Sequence, residues 1–247
     1  MNAGAPDTEG VLPLRDRARH PLALTPDYRS SIYRSPRQPL LQLAPTPSEL
    51  SGPVFGHGKI EPLDNDLIHN FGQDGSEAIG QRLIVHGQVL DEAARPVRGV
   101  LIEIWQANAG GRYRHKREGY LAPLDPNFGG SGRTVTDEEG SYRLRTIKPG
   151  AYPWPNGGND WRPAHIHFSV FGHAFAQRLI TQMYFEGDPL IAHDPIAQGI
   201  RDRAALDQVT ARLDLENTVT MDALAYRFDI VLRGRRATPF ENRPEGS

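Results

Sequence analysis

The chain has 247 residues, enough for one large all-β domain or two smaller ones whose core needs neither disulfides nor metal to fold. It is 38% hydrophobic and 23% charged with a formal net charge of −2, an ordinary globular balance with no basic excess for holding phosphate backbones. Cysteine is absent, which excludes disulfide frameworks, thiolate metal sites and cysteine nucleophiles, so any metal must use nitrogen or oxygen ligands. The stretch from Met1 to Arg19 is polar, and no segment approaches the roughly 18 apolar residues of a membrane span. The expectation is a soluble, unexported, cytoplasmic protein that binds neither nucleic acid nor membrane.

Residues 1–50 are rich in Pro and Arg, as in RDRARHPLALTPDYRSSIYRSPRQPL, and carry neither helical nor strand periodicity, which predicts an extended N-terminal arm. Tyr28, Ile32, Tyr33 and Leu40 favour a strap that packs on a partner subunit over a disordered tail. Residues 51–247 are expected to form the single domain that holds the chemistry. Two β-rich runs, RLIVHGQVL and VLIEIWQAN, flank the turn-forming DEAARPVRG and predict a hairpin. RTVT, SYRLRTI, AHIHFSVFG, QRLITQMYF and ALAYRFDIVLRG follow, each bounded by Gly, Pro or Asp. Seven strands, with helix expected only near RDRAALDQVTARL, predict an all-β sandwich with long functional loops and one or two short helices.

His165-Ile166-His167 lies inside one β run, so both imidazoles point to one face with Cα atoms about 6.6 Å apart, close enough to reach one metal. Such pairs are often plain surface residues, so the pattern is weak alone. The preceding loops crowd aromatic and cationic groups together, in Gly150-Ala151-Tyr152-Pro153-Trp154 and Asn159-Asp160-Trp161-Arg162-Pro163. Loops this dense are seldom mere connectors. Upstream, Trp105-Gln106-Ala107-Asn108 runs into a glycine-flanked tyrosine, Gly110-Gly111-Arg112-Tyr113.

The runs WQANAGGRYRH, LDPNFGG, IKPGAYPW, NDWRPAHIHF and LITQMYFEGDPL resemble the intradiol ring-cleavage dioxygenases, particularly their protocatechuate-cleaving β-subunit branch. The resemblance extends to RHPLALTPDYRSSIYRSPRQ in the arm and AYRFDIVLRG near the C-terminus. It implies one non-haem Fe(3+) per chain held by Tyr113, Tyr152, His165 and His167, with Tyr152 the ligand that leaves when substrate binds. Arg162 is implied to stand over the substrate ring; the competing reading is a surface ion pair with Asp160. Trp154 and Gln182 are implied in the pocket wall, Ile196 near the ring, Trp105 below it, and Tyr28 and Arg34 reaching in from the arm. Ordinary core burial competes for Trp105, Trp154 and Ile196. Lys148 and Arg133 read as solvated strand-end charges, His115 has no matching ligand role, and the remaining histidines, His193 among them, read as structural.

The implied activity is cleavage of protocatechuate (3,4-dihydroxybenzoate) by O2 to 3-carboxy-cis,cis-muconate, in aromatic catabolism through the β-ketoadipate pathway. The implied partner is a homologous α subunit in a hetero-oligomer. Two hard phenolate donors favour ferric over ferrous iron, so such a site activates the organic substrate rather than oxygen at a reduced metal. Two alternatives stay open: a catechol or hydroxyquinol 1,2-dioxygenase, and a non-catalytic β-sandwich that binds Cu or Zn through the histidine pair. The first fifty residues lack the amphipathic helical pattern of the former, and the latter leaves the tyrosines unexplained.

Overall fold

A computed structural model of the chain describes residues 19–38, 60–172 and 178–239. Residues 1–18 and 39–50 of the expected arm, Leu40 among them, lie outside the described residues. Eleven strands are described: β1 Arg82–Leu90, β2 Leu101–Gln106, β3 Ser131–Val135, β4 Ser141–Ile147, β5 Tyr152–Pro153, β6 Trp161–Arg162, β7 His165–Phe171, β8 Arg178–Phe185, β9 Thr210–Val219, β10 Ala223–Arg227 and β11 Ile230–Val231. Among the described residues helix is confined to short pieces: α1 Ser30–Arg34, a 3₁₀ turn Pro189–His193, α2 Pro195–Gln198 and α3 Arg203–Gln208. The all-β expectation holds.

Nine strands form one folded-over sheet in the order β11-β1-β10-β9-β8-β7-β2-β3, with β4 on the other side of β1. The ten-residue β9 makes the fold close. Its first residues pair parallel with β8, its later ones antiparallel with β10, and the register shifts between Ala223 and Ala225. A sandwich results, with β4-β1-β10 in one layer and β8-β7-β2-β3 in the other. The period-two pattern delivers the core: Ile102 and Ile104 of β2, Ile166, Phe168 and Val170 of β7, and Leu179 and Met183 of β8 pack against Leu83 and Val85 of β1 and Leu144 of β4. Phe168 spans the layers, its ring 5.0 Å from that of Phe228 and 6.2 Å from that of Tyr142.

Three expectations need correction. The turn after β1 forms, with Asp91 N–H bonded to the Arg95 carbonyl, but β1 and β2 do not make a hairpin. β1 pairs with β4, β10 and β11, whereas β2 pairs with β3 and β7, so the chain crosses from one layer to the other. The helical reading of RDRAALDQVTARL is right only for Arg203–Gln208; Thr210 onward is strand. The described part of the arm, residues 19–38, contains one helical turn, Ser30–Arg34, too short to leave a periodic signature.

Candidate active site

The odd-numbered residues of β7 face away from the core, and register decides their neighbours. His167 lies opposite Trp105 of β2 on one side and Gln182 of β8 on the other, while His165 lies opposite Tyr184. Trp105 stacks flat on His167, with centroids 4.7 Å apart and planes 5° from parallel. His165 Nδ1 is 2.7 Å from the Pro163 carbonyl, which can only accept. The proton therefore sits on Nδ1, and Nε2 offers its lone pair outward. Burial, then the Arg162 cation and His167, hold His165 well below the usual histidine pKa, so the ring is neutral.

Two tyrosines reach this face from different loops. Tyr113 lies in the loop 107–130, and Tyr152 begins the two-residue ladder β5–β6, directly opposite Arg162. Glycines let the loops touch. A Cβ on Gly111, whose φ is +80°, would meet the Ala151 carbonyl at 2.3 Å, and one on Gly150 would meet the Ala109 carbonyl at 2.5 Å. Asn108 clamps the first loop: its Oδ1 accepts from Gly110 and Arg112 N–H, and its Nδ2 donates to the Pro123 carbonyl.

The four side chains converge. Tyr113 Oη is 3.3 Å from His165 Nε2 and 3.2 Å from His167 Nε2, and Tyr152 Oη is 3.5 Å from His165 Nε2. Ligand bonds of about 2.0–2.2 Å at tetrahedral angles separate neighbouring donors by about 3.3–3.6 Å, so the spacing fits one small metal ion. Burial raises the Tyr152 pKa, against the lowering influence of Arg162 and Tyr113. Among the described residues no group of three or more His, Cys, Asp or Glu side chains is placed to hold a metal, so no carboxylate completes a triad with the two histidines.

Arg162 is not a surface group paired with Asp160. It is 4% exposed, and its ion-pair partner is Asp194, itself completely buried. Its Nη2 also hydrogen-bonds Gln182 Oε1 and the Tyr184 hydroxyl, and its guanidinium lies 5.5 Å from the Trp154 ring centre. Burial works against its charge, but Tyr184, Asp194, Tyr152 and Tyr113 outweigh that, and it stays protonated. Trp154 also meets the arm, 5.3 Å from Tyr28. Arg34 sits 4.9 Å over Tyr28, one contact further out. Ile196 is half-buried at the start of α2, its N–H held by Asp194. Of the charges read as solvated, Arg133 pairs with Asp64, while Lys148 is half-buried over the Phe185 ring. A shallow recess of about 340 Å³ beside His86 and Arg227 lies on the other layer.

Sequence reasoning passed over four residues that organise this region. Tyr184 was legible as the next site-facing position after Gln182 on β8. Asp194 carries a helix-start signal, an N-cap residue before Pro195. Asn108 and Asn156 sit in loops and leave no pattern. Asn156 ties the arm to the site, donating to the Asp27 carbonyl and Asp160 and accepting from Arg29 N–H.

A family model described as "Dioxygenase" matches residues 50–234, and another, "Protocatechuate 3,4-dioxygenase beta subunit N terminal", matches residues 14–46. The chain belongs to the intradiol ring-cleavage dioxygenase family. A protocatechuate 3,4-dioxygenase beta chain from Burkholderia cepacia is 54% identical over 235 residues, covering 95% of this chain and 99% of that one. A catechol 1,2-dioxygenase from Acinetobacter baylyi is 33% identical over 182 residues, 66% of this chain and 53% of the other. Among solved structures, a catechol 1,2-dioxygenase from Acinetobacter sp. ADP1 superposes with a TM-score of 0.52 at 28% identity, over 74% of this chain and 60% of that chain. Intradiol dioxygenases generally depend on non-haem iron. No helix among the described residues is long and apolar enough to cross a membrane.

Proposed function

We propose that this intradiol dioxygenase cleaves protocatechuate with O2 to 3-carboxy-cis,cis-muconate in the cytoplasm, at one ferric iron held by Tyr113, Tyr152, His165 and His167, in a hetero-oligomer with a homologous α chain. The observation that carries the reading is the convergence of two phenols and two imidazoles with 3.2–3.5 Å between donor atoms. Ferric iron, when bound, supplies a Lewis-acidic, redox-capable centre that activates a chelated catecholate toward oxygen.

The chain's own residues do the rest. Tyr152, held as a phenolate when iron is bound, takes a proton at Oη from a substrate hydroxyl on release; burial, which raises its pKa, favours the protonated form. Arg162, facing Tyr152 across β5–β6, steadies negative charge that develops on the ring. Gln182 and Tyr184 hold that guanidinium from β8, and Trp105 fixes the plane of His167 from β2. Trp154 supplies an aromatic wall backed by Tyr28, and Ile196 an apolar one; Arg34 buttresses Tyr28.

The match of residues 14–46 to a β-subunit arm supports the α partner and favours protocatechuate over catechol. Ile32 and Tyr33 of the arm are 51% and 85% exposed, apolar surface for such a partner to cover. The absence of cysteine fits a reducing compartment. The test is to express the chain with and without an α chain, assay protocatechuate and catechol, and identify products by NMR. The expected result is 3-carboxy-cis,cis-muconate from the co-expressed pair. A semialdehyde would exclude intradiol cleavage by this site, and a lone chain fully active on protocatechuate would remove the α chain from the reading.

A further inference from the structure

We propose that Asp194 is the positioning residue of Arg162 and fixes which edge of the guanidinium is offered to substrate. The proposal rests on the reading of Arg162 as the cation beside the substrate ring. Asp194 is completely buried, 32 residues beyond Arg162 in sequence, at the joint between the 3₁₀ turn and α2. Its Oδ1 lies 3.1 Å from Arg162 Nε, near enough for an ion pair though misaligned for a hydrogen bond. Its Oδ2 accepts from Arg162 Nη2 at 3.3 Å and from the Tyr184 hydroxyl at 3.1 Å. Nη2 is also bound by Gln182 and Tyr184, so the guanidinium is gripped along its Nε–Nη2 edge. Nη1 makes no hydrogen bond among the described residues and is the nitrogen left for substrate.

Charge explains why the grip must be a carboxylate. Arg162 is 4% exposed, and a buried guanidinium is tolerated only when paired. Among the described residues Asp194 is its one ion-paired carboxylate. The same carboxylate accepts from Ile196 and Ala197 N–H, so it sets the start of α2 relative to Arg162. Cation and apolar wall are thus located by one side chain.

Capping and charge separate experimentally, because Asn caps a helix about as well as Asp but carries no charge. Asp194→Asn, Arg162→Met and the double variant are prepared as iron-loaded assemblies. Measured for each are kcat and KM with protocatechuate, iron per chain, and the thermal midpoint of the iron-free protein. Asp194→Asn is expected to lower kcat at least tenfold with KM within threefold and iron per chain unchanged, and the double variant to be no slower than Arg162→Met. In iron-free protein the double variant should melt above Asp194→Asn, since its unpaired cation is gone. Asp194→Asn with kcat within twofold of the parent, or a double variant slowed by the product of the two single factors, overturns the proposal. An Arg162→Met enzyme of full activity overturns the reading of Arg162 and this proposal with it, whereas an impaired Arg162→Met beside an unimpaired Asp194→Asn overturns this proposal alone. If Asp194→Asn does not fold, a folded double variant supports the pairing and an unfolded one refutes it.

Discussion

Gly111 and Gly75 differ in a way that measures what holds the two tyrosine loops together. Both have left-handed backbones, with φ of +80° and +78°. A Cβ on Gly75 meets nothing within 4 Å, whereas one on Gly111 meets the Ala151 carbonyl at 2.3 Å and Tyr152 Cβ at 3.2 Å. Alanine pays about 1–2 kcal/mol for the left-handed conformation at either position. Gly111→Ala must also push the Tyr113 and Tyr152 loops apart, an overpacking cost of about 1–3 kcal/mol. Taking the middle of each range, about 1.5 and about 3.5 kcal/mol, at about 2–4 °C per kcal/mol for a chain of this size, Gly75→Ala should lower the melting midpoint by about 3–6 °C and Gly111→Ala by about 7–14 °C. Only Gly111→Ala should also lose iron and the visible phenolate-to-iron absorption, because its clash falls on the segment carrying Tyr152. Scanning calorimetry with iron analysis decides it. Equal midpoint losses, or a Gly111→Ala protein with full iron and an unchanged spectrum, would refute the argument that this backbone contact sets the distance between the tyrosines.

Other expectations follow from single contacts. Tyr152→Phe should keep its iron through the three remaining side chains yet bind substrate more slowly in stopped flow, since the displaceable base is gone; unchanged binding kinetics would contradict that role. Asn156→Ala removes the two hydrogen bonds that join the arm to the β5–β6 loop, so amide exchange across residues 27–34 should quicken at least tenfold while β7 is unaffected. His69, hydrogen-bonded to Asp66 and Glu77, has a raised pKa. Its stabilising contribution is therefore complete below its unfolded pKa of about 6.5 and is lost as pH rises through the higher folded value. The urea-midpoint gap between the parent and His69→Gln should be larger at pH 6 than at pH 8.5, and a gap that does not narrow would remove the linkage.

What could be read from the sequence was whatever repeats over a few residues. The alternation in RLIVHGQVL, HIHFSVF and RLITQMYF put the right residues in the core because a strand's two faces are decided locally. The β1–β2 connection was misjudged because turn chemistry says that the chain reverses, not which sheet the next strand joins. β9 was misread because its middle is exposed and lacks strict alternation, and because it follows a genuine helical turn. Resemblance supplied the four converging side chains, which come from three separate segments and which no spacing rule would have gathered.

The Arg162 partner shows where sequence reasoning runs out. Asp160 is two residues away and was the natural candidate, but its carboxylate is spent on Asn156, holding the arm. Arg162 points instead into the sandwich face, where Gln182 and Tyr184 of β8 and Asp194 of the following loop meet it. A charged side chain buried this deeply must be neutralised from within, since solvent hardly reaches it. The loop after β8 is therefore as much a part of the site as the strands that carry the histidines. Its Asp-Pro pair, which in sequence marks only the start of a four-residue helix, lets one carboxylate cap that helix and balance the cation facing Tyr152.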